Sequence, residues 1–283
     1  MRFSCCIFLL LTARLLQAEP VTSPTSEFPI QFRDGLLWVD VNVAQTKEPL
    51  HFLLDSGASA SVLNLKTARR LGLELGRKVS VMGVGTALTG YWPVKMSATT
   101  SGGELPRDYL ALDLTKLSSA CSNSVDGLIG ADFFSGRVVQ IDYTTQKLRL
   151  LQTKPRASQG QTIPLETRRC GLRVPISVND GKGQWVRLDT GCAAGLQWVT
   201  SKVPADRCTS KLAVGLAEIS IPQTITTVRL GEQSVSQVTT GLHRTAIFPG
   251  ENGLLGNGLL ARFGLVTIDG KSDCVVLGYP SPE

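Results

Sequence analysis

The stretch Phe52-Leu53-Leu54-Asp55-Ser56-Gly57-Ala58-Ser59 decides how the rest of the chain is read. An apolar run with the character of a buried strand ends in a carboxylate, a hydroxyl and a glycine. A carboxylate at the mouth of such a strand is costly unless it is hydrogen-bonded or used. Much further on the phrase returns as Trp185-Val186-Arg187-Leu188-Asp189-Thr190-Gly191-Cys192. Taken alone, each Asp-Ser/Thr-Gly is equally a turn with an Asx cap. The question is whether the two carboxylates meet.

Working outward, the surroundings repeat as well. Gly35 to Val43 alternates apolar and polar residues at its end, as a half-buried strand does, and Gly171 to Asn179 echoes it. Gln45 to Pro49 and Asn179-Asp180-Gly181 are turns in matching places. Asp126 to Phe134, with Gly127-Leu128-Ile129-Gly130, is echoed by Asn252 to Leu260, with Gly253-Leu254-Leu255-Gly256. Val139-Gln140-Ile141-Asp142 is echoed by Val266-Thr267-Ile268-Asp269. The intervals from Asp55 to Gly127 and from Asp189 to Gly253 are close, and those from Gly127 to Asp142 and from Gly253 to Asp269 agree to within one residue. A single internal repeat of this length means two similar lobes rather than a solenoid.

Between these landmarks, Leu65, Ala68 and Leu71 have helical spacing, and Gly72 ends the segment. Val79 to Gly90 is apolar and Gly-rich and suits a hairpin. Strands are expected at 91–99 and 109–114, around a turn at Ser101-Gly102-Gly103, and a second hairpin from Val138–Asp142 and Lys147–Leu151. The predicted class is mainly β, with a few short helices. The domain reading is a signal peptide at 1–18, a disordered lead-in at 19–28 rich in Pro, Ser, Thr and Glu, a first lobe at 29–151, a linker at 152–162 and a second lobe at 163–283.

Asp-Ser-Gly-Ala-Ser followed by Gly-Leu-Ile-Gly-Ala-Asp resembles the retropepsin-type aspartic protease family, which includes bacterial exported members and shares its fold with the pepsins. The resemblance covers nearly all of the chain after its leader, as two tandem lobes. It implies a bilobal acid-protease fold with pseudo-twofold symmetry and β-barrel-like lobes. It also implies hydrolysis of peptide bonds by a water activated between Asp55 and Asp189, with neither a metal nor a cofactor. The physics explains the duplication. Peptide hydrolysis needs a base to take a proton and an acid to give one, and two carboxylates sharing one proton supply both. Gly57 and Gly191 leave room for close backbone approach and supply N–H donors. Ser56 and Thr190 match the hydroxyls that tie the two loops together in the family. Ser59 matches the hydroxyl that supports the first carboxylate. The second half departs here, with Ala193 after Cys192. Gly83-Val84-Gly85 is the candidate flap over the substrate, and Val214-Gly215-Leu216 holds a similar place in the second half.

Composition sets the remaining bounds. The chain has 283 residues, 42% hydrophobic and 18% charged, with a formal charge of +6. The Lys and Arg residues are scattered, so no nucleic-acid partner is expected. Arg2, the apolar run 3–13 and Leu16-Gln17-Ala18 read as a secretory leader cleaved before Glu19, and the run falls short of the roughly 20 residues a membrane span needs. The expected location is exported, either periplasmic or secreted. Of seven cysteines, Cys5 and Cys6 leave with the leader, so Cys121, Cys170, Cys192, Cys208 and Cys274 can form at most two disulfides. Cys192 is read as packing or as paired, with Cys208 as one partner. With no CxxC spacing and only His51 and His243, a zinc site is not expected. His51 reads as a strand residue and His243 as a loop residue; neither lies by a serine-nucleophile motif. The expected partner is a peptide or protein, and the expected state a monomer. Two alternatives stand beside this: a homodimer paired through first lobes, with a degenerate second lobe, and a peptide-binding module without catalysis.

Overall fold

The computed structural model describes residues 24–82, 87–121, 123–155, 160–168, 171–201, 209–214 and 217–279. The protein is mainly β, with 54% strand and 10% helix. Among the described residues the strands form three sheets of ten, eight and six members. The ten-stranded sheet is built from the first half and the eight-stranded sheet from the second. The six-stranded sheet mixes both, in the order Pro24–Pro29, Lys147–Leu151, Val138–Asp142, Leu265–Asp269, Cys274–Leu277, Gln161–Pro164.

The two halves repeat one local topology. In the first, Leu36–Val43 runs antiparallel to Leu50–Leu54, which lies parallel to Gly127–Ile129; that strand is antiparallel to Val62–Asn64. In the second, Gly171–Val178 runs antiparallel to Gln184–Asp189, which lies parallel to Gly253–Gly256; that strand is antiparallel to Leu196–Val199. The registers correspond, Leu53 facing Leu128 where Arg187 faces Leu254. The echoed segments Val138–Asp142 and Leu265–Asp269 pair with each other, Val139 opposite Ile268 and Gln140 opposite Thr267. Their likeness thus serves a joint sheet.

Burial explains the continuous apolar run before Asp55. Phe52 and Leu54 point into the main core, while Leu53 joins a second cluster with Trp38, Val62, Leu112, Leu117 and Leu128. A strand covered on both faces has no polar face to show. The helix at Leu65–Arg70 starts on Asn64, whose side chain accepts from the Lys66 N–H, and the chain leaves it through Gly72 at φ +67°. That left-handed backbone is one only glycine adopts at little cost.

Three expectations are corrected. Residues 24–28 are not a disordered lead-in: Pro24–Pro29 is an edge strand on Lys147–Leu151. Phe28 is 3% exposed, and Glu27 bridges Lys147 and Arg149. Residues 161 and 162, placed in the linker, belong to the Gln161–Pro164 strand, which pairs with Cys274–Leu277. His243 is not in a loop but closes the Gln233–His243 strand, buried, its Nε2 2.7 Å from Gln197 Oε1. The predicted leader and Cys170 and Cys208 lie outside the described residues. Among the described residues no helix is long and apolar enough to cross a membrane.

Candidate active site

Each aspartate sits just where its strand gives way to a turn. Asp55 N–H donates to Ile129 O at 2.8 Å, which fixes the first loop to the Gly127–Ile129 strand. Asp189 lies opposite Gly256 in the parallel pair of the second half. The loops then grip each other. Ser56 N–H donates to Thr190 Oγ1 at 2.9 Å, and Thr190 N–H donates to Ser56 Oγ at 3.0 Å. Ser56 Oγ donates on to Leu188 O and Thr190 Oγ1 to Leu54 O, each at 2.8 Å. Both residues are fully buried, and all four bonds cross between halves.

This grip brings the carboxyl groups of Asp55 and Asp189 into hydrogen-bond contact. The glycines are required by that closeness. A Cβ on Gly57 would lie 2.4 Å from Asp189 Cγ, and one on Gly191 would lie 2.5 Å from Asp55 Cγ. Asp55 Oδ1 accepts from the N–H groups of Gly57 and Ala58, both at 3.0 Å, whereas Asp189 Oδ1 accepts from the Gly191 N–H at 2.9 Å. Burial raises the pKa of both. That of Asp189 is raised well above its ordinary value, first by burial and then by the charge of Asp55. For Asp55, the backbone donors and the Asp189 hydrogen bond oppose the rise.

The other expected residues are less uniform. Ser59 is exposed at the cavity rim, and the hydrogen bonds to Asp55 come from backbone N–H groups instead, so the supporting role expected of its hydroxyl is not seen. In the second half, Ala193 packs against Gly35: a Cβ on that glycine would lie 2.8 Å from Ala193 Cβ. Cys192 is a buried free thiol among the described residues, its pKa pushed up by burial and by Asp189; Cys208, its expected partner, lies outside them. The flap candidates Gly83, Val84 and Gly85 lie outside the described residues, as do Gly215 and Leu216. The arms of the first hairpin, Arg77–Met82 and Ala87–Lys95, are described and pair to the register Met82 opposite Ala87.

A cavity of about 650 Å³ opens on the pair. Its long wall comes from the first half: Val62, Leu110, Leu112, Leu117 and Leu128, with Val79, Val81, Met82 and Leu88 of the hairpin arms. Its short wall comes from the second: Arg187, Gly191, Phe248 and Pro249. Such a cavity accepts an apolar side chain beside two carboxyl groups. Among the described residues no group of three or more His, Cys, Asp or Glu could hold a metal.

Two residues escaped the sequence reading. Arg187, only 7% exposed, donates from Nη1 to Gly57 O at 2.7 Å and from Nη2 to Glu251 Oε1 at 3.2 Å. Asn257 is fully buried and donates to both Thr190 O (2.6 Å) and Gly35 O (2.9 Å), while accepting from the Tyr143 hydroxyl. The one available signal for Arg187 was a cation inside an otherwise apolar strand, two positions before the aspartate.

A family model described as aspartyl protease matches residues 39–133, a segment that holds Asp55 and the Gly127–Ile129 strand but not Asp189. No curated protein matches the chain.

Proposed function

We propose, from the match of an aspartyl protease family model to residues 39–133, that the chain is a retropepsin-like, exported aspartic endopeptidase in which both catalytic carboxyls come from one molecule. The carrying observation is the reciprocal grip of Ser56 and Thr190, which sets Asp55 and Asp189 in contact at the floor of an apolar cavity.

With one proton between them, the pair is both base and acid. Two N–H donors on Asp55 against one on Asp189 favour the charge on Asp55 and the proton on Asp189 before substrate binds. Asp55 takes a proton from a water as its oxygen bonds to the scissile carbonyl carbon. Asp189 gives its proton to the carbonyl oxygen. In the second step a carboxyl proton passes to the amide nitrogen, the C–N bond breaks, the tetrahedral hydroxyl returns its proton, and the pair is again singly protonated. The two groups titrate as a unit. Activity then falls on the acid side when both are protonated and on the alkaline side when both are ionised. The alkaline limb lies above the ordinary carboxylate range, because burial raises both groups.

The substrate is a peptide that lies extended through the cavity between the hairpin arms and the dyad, adding as a strand. One chain supplies both aspartates, so a monomer is competent. Export rests on the leader-like residues 1–18, and the N-terminal sequence of the secreted form should begin at Glu19. The functional test is incubation of the mature protein with a peptide library across pH, read by mass spectrometry. Pepstatin-sensitive internal cuts are the expected result. Tight peptide binding without cleavage at any pH would count for a binding module instead.

A further inference from the structure

Arg187 and Asp189 are two apart on one strand and so project from the same face. The first-half residue in the same register is Leu53, so the cation has no counterpart across the pseudo-symmetry. A buried guanidinium is costly unless it is paired; Arg187 is hydrogen-bonded through both terminal nitrogens, while its Nε has no partner among the described residues. Here one face carries the Phe248 ring, 4.7 Å from Cζ to its centroid. Close to the guanidinium lies Gly171, where a Cβ would come within 2.8 Å of Cζ. Glu251 takes one N–H and the Gly57 carbonyl another. Arg187 thereby knits the Asp55 loop of the first half to the Phe248–Glu251 segment of the second.

Charge makes this more than a tie. Glu251 also accepts from Arg173 Nε at 3.0 Å, so two buried guanidiniums share one buried carboxylate. Glu166 stands 3.6 Å from Arg173 but is 39% exposed, so its charge is screened by solvent. The cluster of Arg173, Arg187 and Glu251 therefore carries one surplus positive charge. It is balanced when Asp55 and Asp189 together carry one negative charge, which is the form hydrolysis needs.

We propose that Arg187 is a positioning residue of the dyad, clamping Gly57 to the second half and stabilising the singly ionised aspartate pair. This rests on reading Asp55 and Asp189 as a hydrolytic pair. Among the described residues, the charged and titratable groups facing that pair are Arg187 from the strand of Asp189 and the neutral Cys192 thiol from the loop after it. Behind Arg187 stand Glu251 from the segment before Gly253–Gly256 and Arg173 from the adjacent strand, with Glu166 beyond it. The Coulomb attraction of Arg187 opposes the burial that raises both aspartates.

The test compares wild type, Arg187→Met, Arg187→Lys and Glu251→Gln by the pH profile of kcat/KM and by carboxyl ¹³C NMR titration of the two aspartates. Arg187→Met should move the acid limb up by about 1 pH unit or more, the size of an opposite charge removed from close range, and lower kcat at least about tenfold. Arg187→Lys should restore the limb but only part of kcat, since one ammonium does not span Gly57 and Glu251. Glu251→Gln should move the limb the other way, down, because Arg187 is left uncompensated. If Arg187→Met does not fold, the opposed behaviour of the lysine and glutamine variants decides. A limb that stays fixed in the folded variants overturns the proposal. Wild type without cleavage would instead overturn the protease reading, and the NMR titration would still judge the charge coupling.

Discussion

At the scale of single residues, the site depends on groups that cannot be exchanged for near-equivalents. In the proposed mechanism Asp55→Asn and Asp189→Asn each remove one member of a pair that acts as a unit. Each should lower kcat by at least about 10²–10⁴-fold, the usual worth of a positioned acid or base, with circular dichroism unchanged. Gly57→Ala should be as damaging as either, because its Cβ would fall 2.4 Å from Asp189 Cγ and force the carboxyls apart. Thr190→Ala leaves a buried Ser56 N–H and the Leu54 carbonyl without their partner, a loss of about 1–3 kcal/mol in chemical denaturation. Protonation gives an independent check. Both aspartates have raised pKa values in the fold, so between the ordinary value of 3.8 and the raised ones the folded protein holds more protons than the unfolded chain. The stability they contribute is therefore fully present below 3.8 and is lost as pH rises through the folded values. Thermal melts should show Asp189→Asn more stable than wild type at neutral pH, with the gap closing near about pH 4. The aspartates, Ser56, Thr190 and both glycines were legible because the motif occurs twice in matched settings. Arg187 was not. Between Val186 and Leu188 it reads as the solvent-facing residue of an alternating strand, and its partner Glu251 is 64 positions away.

At the scale of elements, the strand that carries Asp55 was legible for a reason: its apolar run is continuous because both faces are covered. The first strand was hidden for the opposite reason. Pro24–Pro29 has the composition of a solvated tail, and its order comes from contacts 120 positions away, the Glu27 carboxylate against Lys147 and Arg149. Phe28 anchors it, packed so tightly on Gly102 that a Cβ there would come within 2.2 Å of the ring. Phe28→Ala should cost about 3–5 kcal/mol in a urea titration; a disordered lead-in would give no change. The same distance effect concealed Ala193. A motif comparison marks it as a missing hydroxyl, while in the fold its methyl group fills the space against Gly35.

At the scale of the whole molecule, the repeat read from the sequence reappears as duplicated strand pairings. The six-stranded sheet, in which Val138–Asp142 and Leu265–Asp269 lie side by side, was not legible, since likeness between two segments does not say that they pair. The cavity has unlike walls, apolar and lined by the hairpin arms on one side and built around Arg187 and Phe248 on the other. A single chain completes the site, so sedimentation at low concentration should find an active monomer. The most direct measurement is cleavage of a peptide library by mature wild type, Asp55→Asn and Asp189→Asn at equal concentration across pH. The expected result is a bell-shaped wild-type profile and loss of cutting in both variants. Full cutting by either variant would contradict a pair of carboxyls acting together.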